Sequence, residues 1–449
     1  MKTYQSYKNS GEDYIGEIPE HGECSRLGML GVFSSSGIDK KTNENEVSVK
    51  MVNYTDIIQS RIYYPIQSGE KEYMVVSTPS TKLEEHRLVK GDMVFIPSSE
   101  TKDDLGYSSL IDFDETDIVY SYHILRYRTR KPIFHYFKKY LINHHSVLNQ
   151  FSRDSKGTTR QIIGRNVFNN VRVVLPPLQE QEQIVNFLDE KTSIIDKLIS
   201  TKERKIELLK EQRSSLINEV ITKGLDPNVK MTDSGVEWIG EIPESWSLIC
   251  VKHLVSTKIT DGPHETPIFV DNGVPFLSVE SVQDGKLDFN KKRGYISIEL
   301  NKIYSKKCLP KKDDVLIVKS GSTTGKSTIV ETDEIFNIWS PLCIVRSNQN
   351  KIIPKFTFTS VQSNYFRKFI ELGWSFGTQP NIGMGVIENL KLVVPSTIQE
   401  QQEIVEYLDK HTKEIDDLVQ MEQKKIELLK EYRQSLISEV ITGKIKVVE

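Results

Sequence analysis

Two stretches of the chain, residues 179–222 and 399–442, place apolar side chains at helical intervals on an otherwise polar background. The apolar positions recur at steps of three, four, seven or eight residues, which traces a narrow stripe along a helix. A stripe this narrow is typical of the seam of a coiled coil rather than of one face of a globular helix. We expect the seam to contain Ile195, Leu198, Ile206, Leu209, Leu216, Val220, Ile415, Leu418, Ile426, Leu429, Leu436 and Val440.

The two stretches are copies of one sequence. With an offset of 220 residues and no gap, 26 of 44 aligned positions are identical. Neither copy contains proline or glycine, and Gly224 and Gly443 supply stop signals after them. A repeat of this length indicates a chain built from two copies of one unit. Because a domain-sized segment connects the two helices, an antiparallel pair is the simplest way for them to pack against each other.

The sequence before each long helix mixes short β-rich runs with helical patterns in the same order. We predict strands at 73–77, 93–96, 117–127 and 171–174, with a helix at 132–148. In the second half we predict strands at 274–279, 315–319, 335–345 and 390–394, with a helix at 355–372.

These patterns predict an α+β protein in which two globular mixed α/β domains are separated by two long α-helices. The helices form an antiparallel coiled coil, and the whole is a pseudo-two-fold internal repeat. A shorter echo, Tyr14–Pro19 against Trp238–Pro243, marks where each unit begins. We therefore place the first domain at 1–176, a central helical spacer at 177–224, the second domain at 225–395 and a C-terminal helical spacer at 396–449.

Composition narrows the possible functions. The net charge is −3 and the hydrophobic content is 37%, as in a soluble globular protein, so any nucleic-acid binding must rest on local basic surfaces. The four cysteines lie far apart and form no CxxC pair, which argues against a disulfide framework or a zinc site. The start has no apolar leader, and no uncharged stretch reaches the length of a membrane span. We expect a cytoplasmic protein.

Each domain contains one strongly basic run. Residues 121–165 hold ten lysines and arginines against one acidic residue, and residues 291–326 hold ten against three. Aromatic residues are interleaved with the first run. Two basic runs in a nearly neutral protein favour DNA held at two places.

The segment Lys319–Ser327 resembles a phosphate-binding loop but departs from it. The pattern GxxxxGK[ST] requires glycine at Ser320, and the residues after the loop predict a strand where phosphate binding needs a helix N-terminus. A nucleotide hydrolase using Ser320–Ser327 is therefore the weaker alternative, and a coiled-coil adaptor that binds no DNA is another. We find no metal-ligand constellation and no methyltransferase motif, so the chain shows no catalytic apparatus of its own.

The ordered motifs resemble the specificity subunit of Type I restriction-modification systems over essentially the whole chain. The duplicated helices resemble that family's two conserved regions. The segments Trp238–Pro243, Ile259–Pro267, Ser320–Lys326 and Gly377–Ile382 are typical of its second target recognition domain. The first domain is similar to a different subclass, with Gly91–Phe95 followed by Ser98–Gly106. There, Tyr14 replaces tryptophan, the DGPH segment is absent, and residues 157–162 match GTQPNI only in part.

The resemblance implies a non-catalytic subunit that reads a bipartite DNA sequence, one part per target recognition domain. It also implies two copies of an adenine methyltransferase subunit, together with motor-nuclease subunits, as partners. S-adenosylmethionine, ATP and magnesium would belong to those partners and not to this chain. The residues that we expect at double-stranded DNA are Ser98, Ser99, Lys102, Arg128, Lys156, Thr158, Arg160, Thr260, Asp261, His264, Thr266, Lys319, Ser320, Ser322, Thr323, Lys326, Thr378, Gln379 and Asn381.

Overall fold

The computed structural model describes residues 2–60, 65–283, 285–376 and 380–447. The chain divides into two compact units, of which the first comprises Met1–Glu203 with Gln423–Glu449 and the second comprises Arg204–Glu422. Both divisions fall inside the long helices. Each unit therefore contains one globular domain and a part of each long helix.

The first domain is built from short strands and short helices. Its strands are β1 (Tyr7–Asn9), β2 (Glu17–Pro19), β3 (Glu23–Arg26), β4 (Gly31–Ser34), β5 (Val47–Val52), β6 (Ile66–Gln67), β7 (Met74–Thr78), β8 (Met93–Phe95), β9 (Ser98–Ser99), β10 (Ser108–Ile111), β11 (Ile118–Tyr120), β12 (Leu125–Thr129), β13 (Gln161–Ile162) and β14 (Arg172–Leu175). Its helices are α1 (Leu27–Leu30), α2 (Tyr54–Ser60), α3 (Ser80–His86), α4 (Lys138–Ile142), α5 (His145–Asp154) and α6 (Arg165–Asn170), with 3₁₀ turns at Lys102–Asp104 and His135–Phe137.

Two sheets organise this domain. The larger has the strand order β4-β12-β8-β10-β6, and the smaller has the order β11-β5-β7. Aromatic side chains fill the core beside the larger sheet, where the rings of Phe33, Phe95, Tyr127 and Phe168 lie 4.5 to 6.1 Å apart. These rings belong to neighbouring strands and to α6, so burying them fixes the helix against the sheet.

The second domain repeats the plan. Its strands are β15 (Met231–Asp233), β16 (Glu241–Pro243), β17 (Ser247–Cys250), β18 (Thr260–Asp261), β19 (Val274–Leu277), β20 (Val282–Gln283), β21 (Lys286–Leu287), β22 (Gly294–Ile296), β23 (Val315–Val318), β24 (Ser327–Ile329), β25 (Asn337–Ile338), β26 (Leu342–Val345), β27 (Ser375–Phe376), β28 (Pro380–Asn381) and β29 (Lys391–Val394). Its helices follow as α8 (Ile298–Tyr304), α9 (Pro354–Val361), α10 (Asn364–Leu372) and α11 (Met384–Asn389), with 3₁₀ turns at Val251–His253, Val279–Ser281 and Phe289–Lys291. The sheets have the orders β18-β26-β23-β24 and β22-β19-β25.

Most predicted elements are present, but the longer ones are divided. The predicted strand 117–127 is two strands, β11 and β12, and the predicted strand 335–345 is likewise split into β25 and β26. The predicted helix 132–148 is a 3₁₀ turn followed by α4 and the start of α5, because Asn143 leaves the helical conformation and its side chain bonds the backbone of Ser108. The predicted helix 355–372 is split into α9 and α10, because the Ser363 hydroxyl caps α10 by accepting the Phe366 N–H.

One internal ion pair occurs at the same place in both domains. Asp92, just before β8, accepts two hydrogen bonds from Arg128 at 2.7 and 2.6 Å. Asp314, just before β23, accepts two from Arg346, both at 2.7 Å. Both carboxylates are 1% exposed. The two domains therefore share one scaffold although their sequences differ.

The two long helices are α7 (Leu178–Lys223) and α12 (Ile398–Ile441), of 46 and 44 residues. They run antiparallel in each unit. In the second unit Lys205 pairs with Glu422 and, further along α7, Arg213 pairs with Asp416, which lies earlier in α12. In the first unit Ile184 lines a small cavity with Val440 and Ile441, and Asp196 pairs with Arg433. Within the described ranges, no helix is both long and apolar enough to cross a bilayer.

The structure corrects the predicted seam at two positions. Leu198 and Leu418 are 46% and 39% exposed, whereas Ile199 is 4% exposed and Val419 is half-buried. The inward-facing positions follow a strict alternation of three- and four-residue steps, and some of these positions are polar. A prediction that considers only apolar residues therefore assigns the wrong neighbours to the seam. These polar inward positions are Thr192, Lys202 and Arg213 in α7 and Thr412, Glu422 and Arg433 in α12.

Ion pairs between the helices partly follow the internal repeat. Asp196–Arg433 in the first unit and Arg213–Asp416 in the second, both at 2.9 Å, are the same pair displaced by 220 residues. Lys205–Glu422, also at 2.9 Å, has no such copy, because the residue equivalent to Glu422 is Lys202. The helices therefore match over most of their length and differ near the middle.

Candidate nucleic-acid interface

The loop from Ser320 to Lys326 is a tight connection between β23 and β24. The Val318 N–H donates to the Lys326 carbonyl and the Gly325 N–H donates to the Val318 carbonyl, both at 2.8 Å. Gly321 and Gly325 have φ values of +96° and +92°, which favour glycine. Ser322 and Lys326 are exposed, and Thr323 is half-buried. The loop therefore presents hydroxyls and one ammonium group on a hydrogen-bonded hairpin.

This geometry differs from that of a phosphate-binding loop. The loop is followed by β24 rather than by a helix N-terminus, so backbone N–H groups do not converge with a helix dipole on an anion. The strand predicted after the loop is confirmed, and the hydrolase alternative has no support from the fold.

A second segment supports this hairpin loop. The Ile382 N–H donates to the Lys319 carbonyl at 2.8 Å and the Gly321 N–H donates to the Pro380 carbonyl at 3.0 Å. Ser320 and Asn381 form a β-bridge. The structure thus brings the predicted residues Lys319, Ser320 and Asn381 together. Thr378 and Gln379 lie outside the described residues.

Asp261 is the centre of a cluster of basic side chains in the second domain. Its carboxylate is 1% exposed and lies 2.6 Å from the Lys307 Nζ, 3.1 Å from the Lys319 Nζ and 3.1 Å from the His264 Nε2. Burial raises the pKa of Asp261, but the ammonium groups of Lys307 and Lys319 outweigh burial and hold this pKa below its ordinary value. An ionised carboxylate thus positions two cations. The sequence predicts that Asp261 contacts DNA, but the structure buries its side chain beneath the surface.

The turn after Asp261 lies against the strand β25. A Cβ atom on Gly262 would come within 1.9 Å of the Ile338 carbonyl oxygen, so only glycine fits there. The Ser340 N–H donates to the Pro263 carbonyl at 3.1 Å. Thr260 is half-buried in β18, whereas His264 and Thr266 project from the turn and are exposed. The cluster, the turn and the hairpin loop thus form one region of the second domain.

The same region includes two residues that the sequence did not single out. The Arg293 guanidinium carbon lies 4.2 Å from the centre of the Trp339 ring. Trp339 follows Ile338 directly and therefore adjoins the Gly262 turn. A basic residue beside a tryptophan at this spacing could be found only from the fold, since 46 residues separate the two in sequence.

The first domain has an equivalent pair of segments. Strand β9 pairs with β13, so that Ser98 faces Ile162 and Ser99 faces Gln161. The Ile163 N–H donates to the Pro97 carbonyl at 2.8 Å, as Ile382 does to Lys319. Ser99 is buried and its hydroxyl bonds Asp104, whereas the predicted residues Lys102, Lys156, Thr158 and Arg160 are exposed. Four of the predicted contacts are thus open to solvent around one pair of loops.

Arg128 occupies a different environment. Its guanidinium makes the bidentate ion pair with buried Asp92, and its Nη2 also donates to the Arg87 carbonyl at 3.1 Å. This pairing raises the pKa of Arg128 above its ordinary range through the hydrogen bonds to Asp92. Because Arg346 makes the same pair in the second domain, Arg128 has a structural role that is independent of DNA.

The first domain also contains a counterpart of the Gly262 turn, which the sequence comparison did not reveal. The Tyr122 N–H donates to the Ile38 carbonyl at 3.0 Å, as Ser340 does to Pro263. The Lys82 Nζ donates to the Gly37 carbonyl at 3.0 Å, as Lys307 does to Gly262 at 3.3 Å. Ser36 takes the place of Asp261. The two turns share only a glycine, so a sequence comparison cannot detect that they are equivalent.

Part of the basic run in the first domain is internal. The Lys138 Nζ donates to the Gly91 carbonyl at 2.8 Å, and the Lys139 Nζ pairs with Asp189 at 2.7 Å. Both side chains are buried, and burial lowers the pKa of each ammonium group. The prediction of a basic surface from counts of lysine and arginine therefore includes two buried residues, Lys138, which bonds within the domain, and Lys139, which pairs with Asp189 of α7.

The described residues contain no group of three or more histidine, cysteine, aspartate or glutamate side chains that could hold a metal ion. Cys24, Cys250, Cys308 and Cys343 are free thiols, of which Cys308 and Cys343 are buried.

Comparison with known proteins finds relatives in sequence and in fold. The chain is 29% identical over 297 residues to the Type I restriction enzyme MjaVIII specificity subunit of Methanocaldococcus jannaschii, covering 65% of this chain and 66% of that protein. It is 26% identical over 452 residues to the putative type I restriction enzyme MjaX specificity subunit of the same organism, covering 99% and 98%. A solved chain from work on complex assembly and conformational transition of the type I R-M system has the same fold. The TM-score is 0.66 at 18% identity, with coverage of 95% and 99%.

The profile of the family described as Type I restriction modification DNA specificity domain matches residues 70–208 and 256–428. The two matches include the loop pairs of both domains and most of both long helices. Because they span more than half of the chain, the protein belongs to the family of Type I restriction-modification DNA specificity domains.

Proposed function

We propose that this specificity subunit reads a bipartite DNA sequence, with one half-site bound by each domain. The observation that carries the proposal is the repeated loop pair, Ser98 with Ile162 in the first domain and Ser320 with Asn381 in the second. The scaffold is the same in both, but the exposed side chains on it differ. Equal scaffolds with unequal side chains are what two different half-sites require.

Within each domain the exposed cations and the loop side chains have different tasks. Cations hold phosphates and fix the position of the protein, whereas hydroxyl, amide and imidazole groups reach base edges in the grooves. In the second domain the candidate phosphate contacts are the exposed Lys307 and Lys326 and the half-buried Lys319. Asp261 keeps two of them in place at short range. The residues Ser322, Thr323, His264 and Asn381 are the candidate base contacts.

The paired helices serve as the spacer between the half-sites. Their inward positions follow a strict heptad over ten positions in each helix, which favours a rod of defined length. The gap in the recognised DNA is then a property of the helices and not of the domains.

We further propose that partner subunits dock on leucines that the helix pair leaves exposed. Leu198 and Leu418 are equivalent in the repeat, as are Leu208 and Leu428, and all four are 39% to 54% exposed. Two equivalent apolar sites suit two copies of one partner, the adenine methyltransferase subunit, with motor-nuclease subunits joining the complex. S-adenosylmethionine, ATP and magnesium are then used by those partners.

The test is methylation-sensitive sequencing of DNA modified by this subunit together with its methyltransferase partner. We expect a bipartite motif. In His264→Ala we expect weaker discrimination within the half-site of the second domain only, and in Thr158→Ala within the other half-site only. The loss corresponds to about 1–3 kcal/mol where a base is read and less where only a phosphate is held. A contiguous motif, or two variants with identical effects, would contradict the proposal.

A further inference from the structure

We infer that Arg293 reads a guanine in the half-site bound by the second domain. The inference rests on the proposed function and adds a specificity-determining residue that lies outside the loops predicted from sequence. Three features of its surroundings support it: a fixed side chain, a position in the candidate interface and a guanidinium without an acidic partner.

Arg293 is held in place from two sides. Its backbone N–H donates to the Phe276 carbonyl at 3.0 Å, which fixes the main chain just before β22. Its guanidinium lies over the Trp339 ring at 4.2 Å, a distance at which the flat cation is attracted to the ring face. The side chain is nevertheless exposed. A planar donor group that is both stacked and open to solvent loses little conformational freedom on binding.

The surroundings of Arg293 belong to the candidate interface. Trp339 adjoins the Gly262 turn, which carries His264 and follows the Asp261 cluster. On the other side, the Phe269 ring of the segment 264–270 lies against Gly294, the residue that follows Arg293. Ile268 on that segment is 83% exposed. An exposed apolar residue beside an arginine suits a groove that offers both thymine methyl groups and guanine acceptors.

The availability of the guanidinium distinguishes Arg293 from Arg128 and Arg346, the two arginines at equivalent positions in the two domains. Arg128 and Arg346 each give two hydrogen bonds to a buried aspartate, so their donors are already used. No acidic side chain within the described ranges pairs with Arg293. Two parallel N–H donors match the O6 and N7 acceptors of guanine, which is the commonest specific contact of arginine in the major groove.

The experiment compares three variants in the complex with its methyltransferase subunits. Arg293→Lys keeps the charge but loses the planar pair of donors, and Arg293→Ala loses both. Lys291→Ala removes a neighbouring exposed charge and serves as the matched control. Modified sites are sequenced, and DNA binding is measured at several salt concentrations for the wild-type half-site and for single-base changes in it.

We expect Arg293→Lys to relax one G·C position in the half-site of the second domain, reducing discrimination there by about tenfold or more. The first half-site and the gap should stay unchanged, which shows that the variant is folded. Lys291→Ala should leave the motif intact.

Two results would overturn the inference. One is an unchanged motif in Arg293→Lys. The other is a uniform loss of affinity for all sequences in Arg293→Ala together with a smaller salt dependence, which identifies a phosphate contact. If the wild-type complex itself recognises no bipartite motif, the proposed function fails together with this inference.

Discussion

At the scale of single residues, one buried histidine links the stability of the first unit to pH. His144 is 1% exposed where α5 begins, and burial lowers the pKa of its imidazole to about 4. An unfolded histidine has a pKa of about 6.5. Between these values the unfolded chain binds a proton that the folded unit excludes, so stability present above pH 6.5 is lost as the pH falls toward 4.

We predict that the free energy of unfolding of the first unit decreases by up to about 1.4 kcal/mol per pH unit over this range because of His144. Chemical denaturation at pH 7, 6 and 5 measures the slope. His144→Gln should reduce it, whereas His145→Gln, at the exposed neighbouring position, should not. Equal slopes in the two variants would show that other groups cause the pH dependence.

Residue chemistry also explains what the sequence could and could not predict about the site. The hairpin loop and the Gly262 turn were found because their residues match a known order of motifs. The sequence does not predict the roles of individual charged residues, because residue type alone does not show that Asp261, Lys138 and Lys139 are buried. The role of Arg293 could not be predicted either, because it depends on the contact with Trp339, which is distant in sequence and is seen only in the folded structure.

At the scale of elements, the long helices show how a seam is specified. The alternation of three- and four-residue steps decides which side chains face the partner helix, whether or not the residues are apolar. Leu198 and Ile199 are neighbours in sequence, yet only Ile199 is buried. The same alternation places Glu422 inward, where Lys205 pairs with it.

We predict that Ile199→Ala destabilises the first unit by about 2–4 kcal/mol, because it removes buried methyl groups and leaves a cavity. Leu198→Ala should cost less than about 1 kcal/mol, because this side chain is already half in solvent. Thermal and denaturant unfolding measure both. If Leu198 contacts a partner subunit, Leu198→Ala should instead weaken complex formation. A larger loss of stability in Leu198→Ala than in Ile199→Ala would contradict the assigned seam.

Short-range signals also limited the prediction of strands and helices. Residues 117–127 are apolar and β-branched enough to resemble one strand, but the Ile124 N–H donates to the Ser121 carbonyl at 3.2 Å and turns the chain between β11 and β12. Asn143 and Ser363 end and start helices through side-chain hydrogen bonds. Such bonds depend on partners distant in sequence or on local geometry that periodicity does not register.

At the scale of the whole molecule, the repeat is the feature that sequence predicts best. Twenty-six identities in one ungapped alignment indicate that the two helices are copies of one element. The domains diverge so far that the turn at Ser36–Ile38 and the turn at Asp261–Pro263 share only a glycine. Their equivalence rests on matching hydrogen bonds, in which Lys82 takes the place of Lys307.

We propose that the length of the helix pair sets the gap between the two DNA half-sites. The most direct test deletes one heptad from each helix, residues 199–205 and 423–429, which preserves the three-four alternation. Each deletion shortens a helix by about 10 Å, the length of about three base pairs. Methylation-sensitive sequencing should then show both half-sites unchanged and the gap between them shortened. An unchanged gap in an active complex, or altered half-sites, would contradict the account.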